Sequence, residues 1–443
     1  MPKKPEPSVD EALIEVADLS VHFRLGGSAL GRLVGRDTGA VRAVDGVSFT
    51  LARGEVLGLV GESGSGKSTL GRALLGLVRP TGGQIRYRDR DIGAASERAL
   101  RALRRDLQMV FQDPHAALNP AMDLQTAVGH PLRVHRLVRS RAELRQRVVE
   151  ALEHVGLTPA EQFLTKYPAD LSGGQKQRAV IARAIISRPS LLVADEPVSM
   201  LDMSVRAKIL ELMRTLRRDL GLTYLYITHD LATAKFFCDR VAICYLGRIV
   251  EIGPTEQIFA APRHPYTRAL LRAIPEPDPD RSVARDLPRG EIPDAARPPL
   301  GCAFHPRCRY AFAPCGWEAR DLRALLEQRW TQIAEERYRA ERALFADLAE
   351  LDSAGRTVRI RAATGASGQD LVELFDEIRA GDPDEPLWRG VRGIRAERSA
   401  ARVEFMPGED PRLLSADAVD VACHLFDDTY AADRPAQDTS AAP

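Results

Sequence analysis

The octapeptide Gly61-Glu62-Ser63-Gly64-Ser65-Gly66-Lys67-Ser68 combines three glycines, an ammonium and a closing hydroxyl. Gly61, Gly64 and Gly66 let successive backbone N–H groups point inward, which makes a cradle for phosphate oxygens. A helix starting near Lys67 adds the positive end of its dipole. Lys67 then reaches the β- and γ-phosphates of ATP, Ser68 offers Mg²⁺ a ligand, and Thr69 completes the nucleotide-binding set. A Gly-rich turn without function would need neither the apolar run Val56-Leu57-Gly58-Leu59-Val60 before it nor the helical spacing of 70–78 after it.

Two further groups supply what the loop lacks. Leu191-Leu192-Val193-Ala194 reads as a buried strand ending in Asp195 and Glu196. Asp195 is placed to hold Mg²⁺ through water, and Glu196, one residue on, to polarise the water attacking the γ-phosphate. Without the phosphate loop the pair would be read as a helix cap. Ser172-Gly173-Gly174-Gln175 opens a helix whose next turns are apolar. A serine and bare glycine amides at a helix start make a second anion site, and two such sites on one chain imply two chains sharing each ATP. Taken alone, this group would be an ordinary N-cap.

The elements that must position these residues follow from periodicity. Residues 13–60 alternate as strands, with a Gly-rich connector at 26–39. Residues 97–165 read as a mainly helical subdomain. A second α/β stretch follows, with a helix near 173–187, strands at 191–194 and 224–228, a helix at 204–219 and a hairpin turning at Leu246-Gly247. Strands alternating with helices predict a parallel sheet with ligands at the strands' C-terminal ends. Prolines from Pro275 to Pro299 predict a stiff linker, 319–350 a long charged helix, and 356–406 short strands with one helix near 369–380. The ends, 1–12 and 431–443, read as disordered tails.

Together the motifs resemble the nucleotide-binding subunit of an ATP-binding cassette (ABC) transporter, over residues 13–270. The family's other landmarks stand in order: Gln112 after a strand, Ser199-Met200-Leu201-Asp202 after Glu196, and His229 within Thr228-His229-Asp230. The resemblance implies an α/β P-loop core with parallel and antiparallel sheets and an inserted helical subdomain. It implies that Gln112 senses Mg²⁺, that His229 contacts the γ-phosphate, and that Asp202 communicates across a dimer. Phe23 stands where the family stacks an aromatic ring on adenine, although a core-facing strand residue is the alternative. Ser172, Gly174 and Gln175 would complete the ATP site of a neighbouring chain. Met200 departs from the small residue usual in the family.

Val44-Asp45-Gly46-Val47-Ser48-Phe49, Phe111-Gln112-Asp113-Pro114, Leu118-Asn119-Pro120 and His264-Pro265-Tyr266-Thr267-Arg268 are similar to the oligopeptide/dipeptide importers. The F-type of their two ATPase subunits matches best. That implies a paralogous partner in a heterodimer (a homodimer being the alternative), two permease subunits and an external substrate-binding protein. Cys302, Cys308 and Cys315 are similar to the C-terminal element of the same importers. Cys423 in Val421-Ala422-Cys423-His424-Leu425 has the family's fourth context, so 319–411 reads as an inserted α+β module between 271–318 and 412–430. Four thiols suit a [4Fe–4S] cluster, as in some relatives, or zinc; free thiols are the remaining reading. Cys238 and Cys244 read as core residues.

Composition narrows the rivals. The 62 basic and 61 acidic residues of this 443-residue chain leave a net charge of +1, which gives no reason to expect nucleic acid as a partner. One cassette without a coiled coil argues against a ribosome-acting ATPase, and the lack of any long apolar run argues against a fused exporter. These features place the expected protein at the cytoplasmic face of the membrane, held there by its partners.

Overall fold

The structure, a computed structural model, describes residues 12–25, 39–273, 288–353 and 355–435. Residues 26–38 of the expected connector, 274–287 around the Pro-rich stretch, and 1–11 and 436–443 of the expected tails lie outside the described residues. The chain divides into two compact units, one up to Phe259 and the other from Ala260 onward. The expected boundary at 270 moves toward the N-terminus for a packing reason. Tyr266 is fully buried and its ring centroid lies 5.3 Å from that of Phe304, so its helix belongs with the cysteine element.

In the first unit, β1 (Ala12–Arg24) and β2 (Ala40–Ala52) precede β3 (Val56–Val60), helix α1 (Lys67–Leu74), β4 (Gly82–Tyr87) and β5 (Arg90–Asp91). These are followed by β6 (Leu107–Val110), α2 (Leu124–Val134), α3 (Arg141–His154), α4 (Gly173–Ile185) and β7 (Leu191–Asp195). The unit ends with α5 (Met203–Leu220), β8 (Thr223–Thr228), α6 (Leu231–Phe237), β9 (Arg240–Tyr245) and β10 (Arg248–Pro254). An antiparallel sheet has the order β2-β1-β4-β5. The central sheet runs β10-β9-β3-β8-β7-β6, parallel except for the β9–β10 hairpin. Every residue of β3, β7 and β8 is buried, as central parallel strands covered on both faces require. The β9–β10 turn has positive φ at both Leu246 and Gly247, the geometry that matches hairpin twist. The span 97–165 is not wholly a helical subdomain, because β6 within it is a strand of the central sheet. The helices that pack on one another are α2, α3 and α4, between β6 and β7.

The second unit begins with α7 (Pro265–Arg272). The long helix expected over 319–350 is two helices, α8 (Ala319–Trp330) and α9 (Glu335–Arg342). The break lets α9 bring the buried Glu341 against the end of α8, where it accepts from Trp330 Nε1 at 3.0 Å and Arg329 at 2.8 Å. Beyond it, β11 (Thr357–Arg361), α10 (Gly368–Gly381), β12 (Val391–Glu397) and β13 (Ala400–Phe405) form an antiparallel sheet of order β11-β13-β12 under one helix. Leu371, Leu374, Phe375 and Ile378 of α10 are buried. A small hairpin, β14 (Leu414–Ala416) and β15 (Val419–Val421), leads to Cys423.

Candidate active site

The phosphate loop is possible only with glycine at two positions. A β-carbon on Gly66, where φ is +91°, would lie 1.8 Å from the Ala43 carbonyl oxygen, and one on Gly61 2.1 Å from that of Cys244. The loop closes around Lys67, which is 6% exposed. Its Nζ donates to the carbonyls of Gly61 and Glu62, both at 2.8 Å, and to Ser65 Oγ at 3.1 Å. Burial pulls this ammonium below its ordinary pKa, against the opposing charges of Cys244, Glu196, Asp195 and Glu62. Gly64, at φ +79°, faces solvent, and Thr69 is half-buried in the first turn of α1.

At the ends of β7 and β8 the remaining groups meet. Ser68 Oγ donates to Asp195 Oδ1 at 2.8 Å, so the hydroxyl and carboxylate expected to hold Mg²⁺ are already in contact. Burial raises the Asp195 pKa, partly offset by the Ser68 hydrogen bond. One carboxylate, one hydroxyl and nucleotide phosphates suit Mg²⁺, which keeps few protein ligands. Glu196 divides its carboxylate between two partners: Gln112 Nε2 donates to Oε2 at 3.0 Å, and His229 Nδ1 lies 2.9 Å from Oε1. Its backbone has φ of +46°, a conformation a glutamate adopts at a cost, and its amide donates to the Ile227 carbonyl at 2.9 Å.

Other expected residues stand apart from this cluster. Ser172 caps α4, with Gln175 N–H donating to its Oγ at 3.4 Å and Gln175 Oε1 accepting from Ser172 N–H at 3.0 Å. Among the described residues no hydrogen bond ties this exposed start to the phosphate loop. Gly174 is pressed against α5, where an added β-carbon would lie 2.9 Å from Val205. Asp202 caps α5 through Val205 N–H at 3.0 Å. Phe23 is 46% exposed at the end of β1, which removes the core-facing alternative. Two arginines were missed from the sequence. Arg206 donates to the carbonyls of Leu201 at 2.7 Å and Ser199 at 3.1 Å, bracing the loop that carries Met200 and Asp202. Arg248 grips Asp45, a residue already seen in a motif but given no role.

Cys302, Cys308, Cys315 and Cys423 are all buried and line one small cavity with His305 and His424. Burial, then the neighbouring Cys302, pushes the Cys308 thiol up to about 12. Cys315 and Cys423 are raised in the same way. Among the described residues no group of three or more His, Cys, Asp or Glu side chains is arranged to hold a metal ion, so the expected cluster gains no support from this geometry. Cys238 and Cys244 are buried, Cys238 against Gly58 of β3.

Comparison with known proteins gives concordant results. Residues 44–199 match the ABC transporter family, and 250–315 match the family described as oligopeptide/dipeptide transporter, C-terminal region. The oligopeptide transport ATP-binding protein OppF of Escherichia coli (strain K12) is 43% identical over 307 residues, which cover 69% of this chain and 91% of that protein. AppF of Bacillus subtilis (strain 168), also an oligopeptide transport ATP-binding protein, is 44% identical over 308 residues, 69% of this chain and 92% of its own. A dimeric ATP-binding cassette bound to ADP and phosphate is 29% identical over 55% of this chain and 98% of its own, with a TM-score of 0.48.

Proposed function

The chain belongs to the ATP-binding subunits of ABC transporters of the oligopeptide/dipeptide class, and from that premise we propose how its residues carry out ATP hydrolysis and with whom. The observation that carries the reading is the double contact of Glu196 with Gln112 and His229, beside the Ser68–Asp195 pair. Lys67 exchanges its loop carbonyls for the β- and γ-phosphates. Ser68 and Asp195 hold Mg²⁺, which when bound neutralises charge on the phosphate oxygens. Glu196 accepts the proton of the attacking water, while His229 and Gln112 orient that water and the carboxylate. Phe23 stacks on the adenine.

The second half of each site comes from another cassette. Ser172, Gly174 and Gln175 present amides and a hydroxyl at an exposed helix start, which suits the γ-phosphate held by a partner. The F-type motifs favour a D-type paralogue as that partner over a second copy. Two permeases and an external binding protein complete the assembly on the cytoplasmic face of the membrane. Among the described residues no helix is long and apolar enough to cross a membrane, which suits a subunit held by permeases.

A finer reading concerns the second unit. Cys302, Cys308, Cys315 and Cys423 would serve an iron–sulfur cluster, with zinc as the alternative. Cys308, Cys315 and Cys423, raised by burial and by neighbouring thiols, form with Cys302 the set a cation would convert to thiolates. Residues 319–411 form an inserted module.

The test is hydrolysis as a function of protein concentration, alone and with the co-purified partner cassette and permeases. Specific activity is expected to fall toward zero on dilution and to return with the partners. Full, concentration-independent turnover by the monomer would remove the shared-site reading.

A further inference from the structure

A chain of contacts around Asp45 has no part in the chemistry above, yet it links both ends of the nucleotide site. The Asp45 carboxylate accepts at Oδ2 from Arg248 Nε at 3.1 Å and Nη2 at 2.8 Å, while Oδ1 lies 3.1 Å from His22 Nε2. Arg42 stands 3.7 Å away. The Asp45 amide donates to the Gly247 carbonyl at 2.9 Å, and the Gly247 amide donates to the Ser65 carbonyl inside the phosphate loop at 3.1 Å. One carboxylate therefore touches β1 through His22 and β10 through Arg248. Its own backbone is one hydrogen bond from the turn that supports the loop.

Two features make this arrangement more than local packing. The β1–β2 ladder shifts register between Leu19 and Val21 and again between Val21 and His22, so the last pairs, His22 with Arg42, Phe23 with Val41 and Arg24 with Ala40, start a register of their own that the earlier part of the ladder does not set. In contrast, β2, the hairpin turn and the loop meet backbone to backbone. A β-carbon on Gly247 would lie 2.7 Å from the Arg42 carbonyl oxygen, so that side has no slack. Asp45 joins this re-registered strand end to the rigid side at its first pair, and the residue after His22 is Phe23.

We propose that Asp45 is a positioning residue: by holding His22 and Arg248 together, it sets the base-stacking end of β1 against the phosphate loop and decides how much affinity the adenine contributes. This rests on the reading of Phe23 as the stacking ring.

The experiment compares equilibrium binding of MgATP and of inorganic tripolyphosphate by the full-length chain. In Asp45→Asn the Kd for MgATP is expected to rise about tenfold, the size of one lost aromatic contact, while that for tripolyphosphate stays within about twofold. Phe23→Ala should weaken MgATP to a similar extent, and adding Asp45→Asn to it should cost little more. Arg248→Lys keeps the charge but loses the two-nitrogen grip. It should reproduce the selective loss in smaller measure, and it serves if the Asn variant fails to fold. Equal losses for both ligands, or none for either, overturn the proposal. Normal MgATP binding by Phe23→Ala removes the stacking reading alone; a selective loss in Asp45→Asn would then still support the positioning role, with the base held by another group.

Discussion

Glu196 sits in a left-handed backbone conformation with its carboxylate oxygens divided between Gln112 and His229. Glu196→Gln keeps the shape and both partners but cannot take a proton. Its kcat is expected to fall by about 10²–10⁴-fold, the range of a general base, with ATP affinity within about twofold. Near-normal turnover would show that another group takes the proton. Asp195 makes the opposite kind of prediction. Its folded pKa is raised above the ordinary 3.8, so its charge costs stability that increases as the pH rises past that value. Asp195→Asn should therefore melt at a higher temperature than wild type at pH 7 without nucleotide. It should also lose the extra stability that Mg²⁺ and ATP confer, and hydrolyse about 100-fold more slowly or worse. A lower melting point would mean that the Ser68 hydrogen bond outweighs the burial.

At the level of elements, the start of α4 separates cap from function. Ser172→Ala removes the acceptor of the Gln175 amide and should cost about 1 kcal/mol of stability. If the same hydroxyl serves a partner's nucleotide, hydrolysis by the assembled complex falls further than stability explains, while nucleotide binding by the isolated chain is unchanged. Ser172→Thr, which caps nearly as well, should restore both. Elements of this kind were legible because their signals are local: five buried residues in β3, glycines with no room for a side chain, a Ser before an apolar helix. The break between α8 and α9 was not, since charged residues continue past it and the apolar spacing of Leu322, Leu326 and Trp330 runs on to Ile333 inside it. It depends on Trp330 and Arg329 meeting Glu341 across the turn. The grip of Arg248 on Asp45 was illegible for the same reason, as nothing near either residue announces the other. Phe23 lay between: its type suggested stacking, but only its exposure chose between ligand and core.

For the molecule as a whole, the cassette accounts for the first unit and leaves the second with thiols and a module. On the cluster reading, protein purified without oxygen would carry about four iron atoms per chain and visible charge-transfer absorption, both lowered by Cys423→Ser. Colourless, iron-free protein would end the cluster reading. The order of the central sheet has a consequence for biosynthesis. Strand β3, which delivers the phosphate loop, lies between β8 and β9, whose residues run from Thr223 to Thr228 and from Arg240 to Tyr245. A nascent chain leaving the ribosome thus displays the loop's sequence long before the strands that flank it are translated, and pairing so distant in sequence forms slowly. Nucleotide cannot assist the early stages of folding, and an apolar strand must wait, uncovered, for its neighbours to be made.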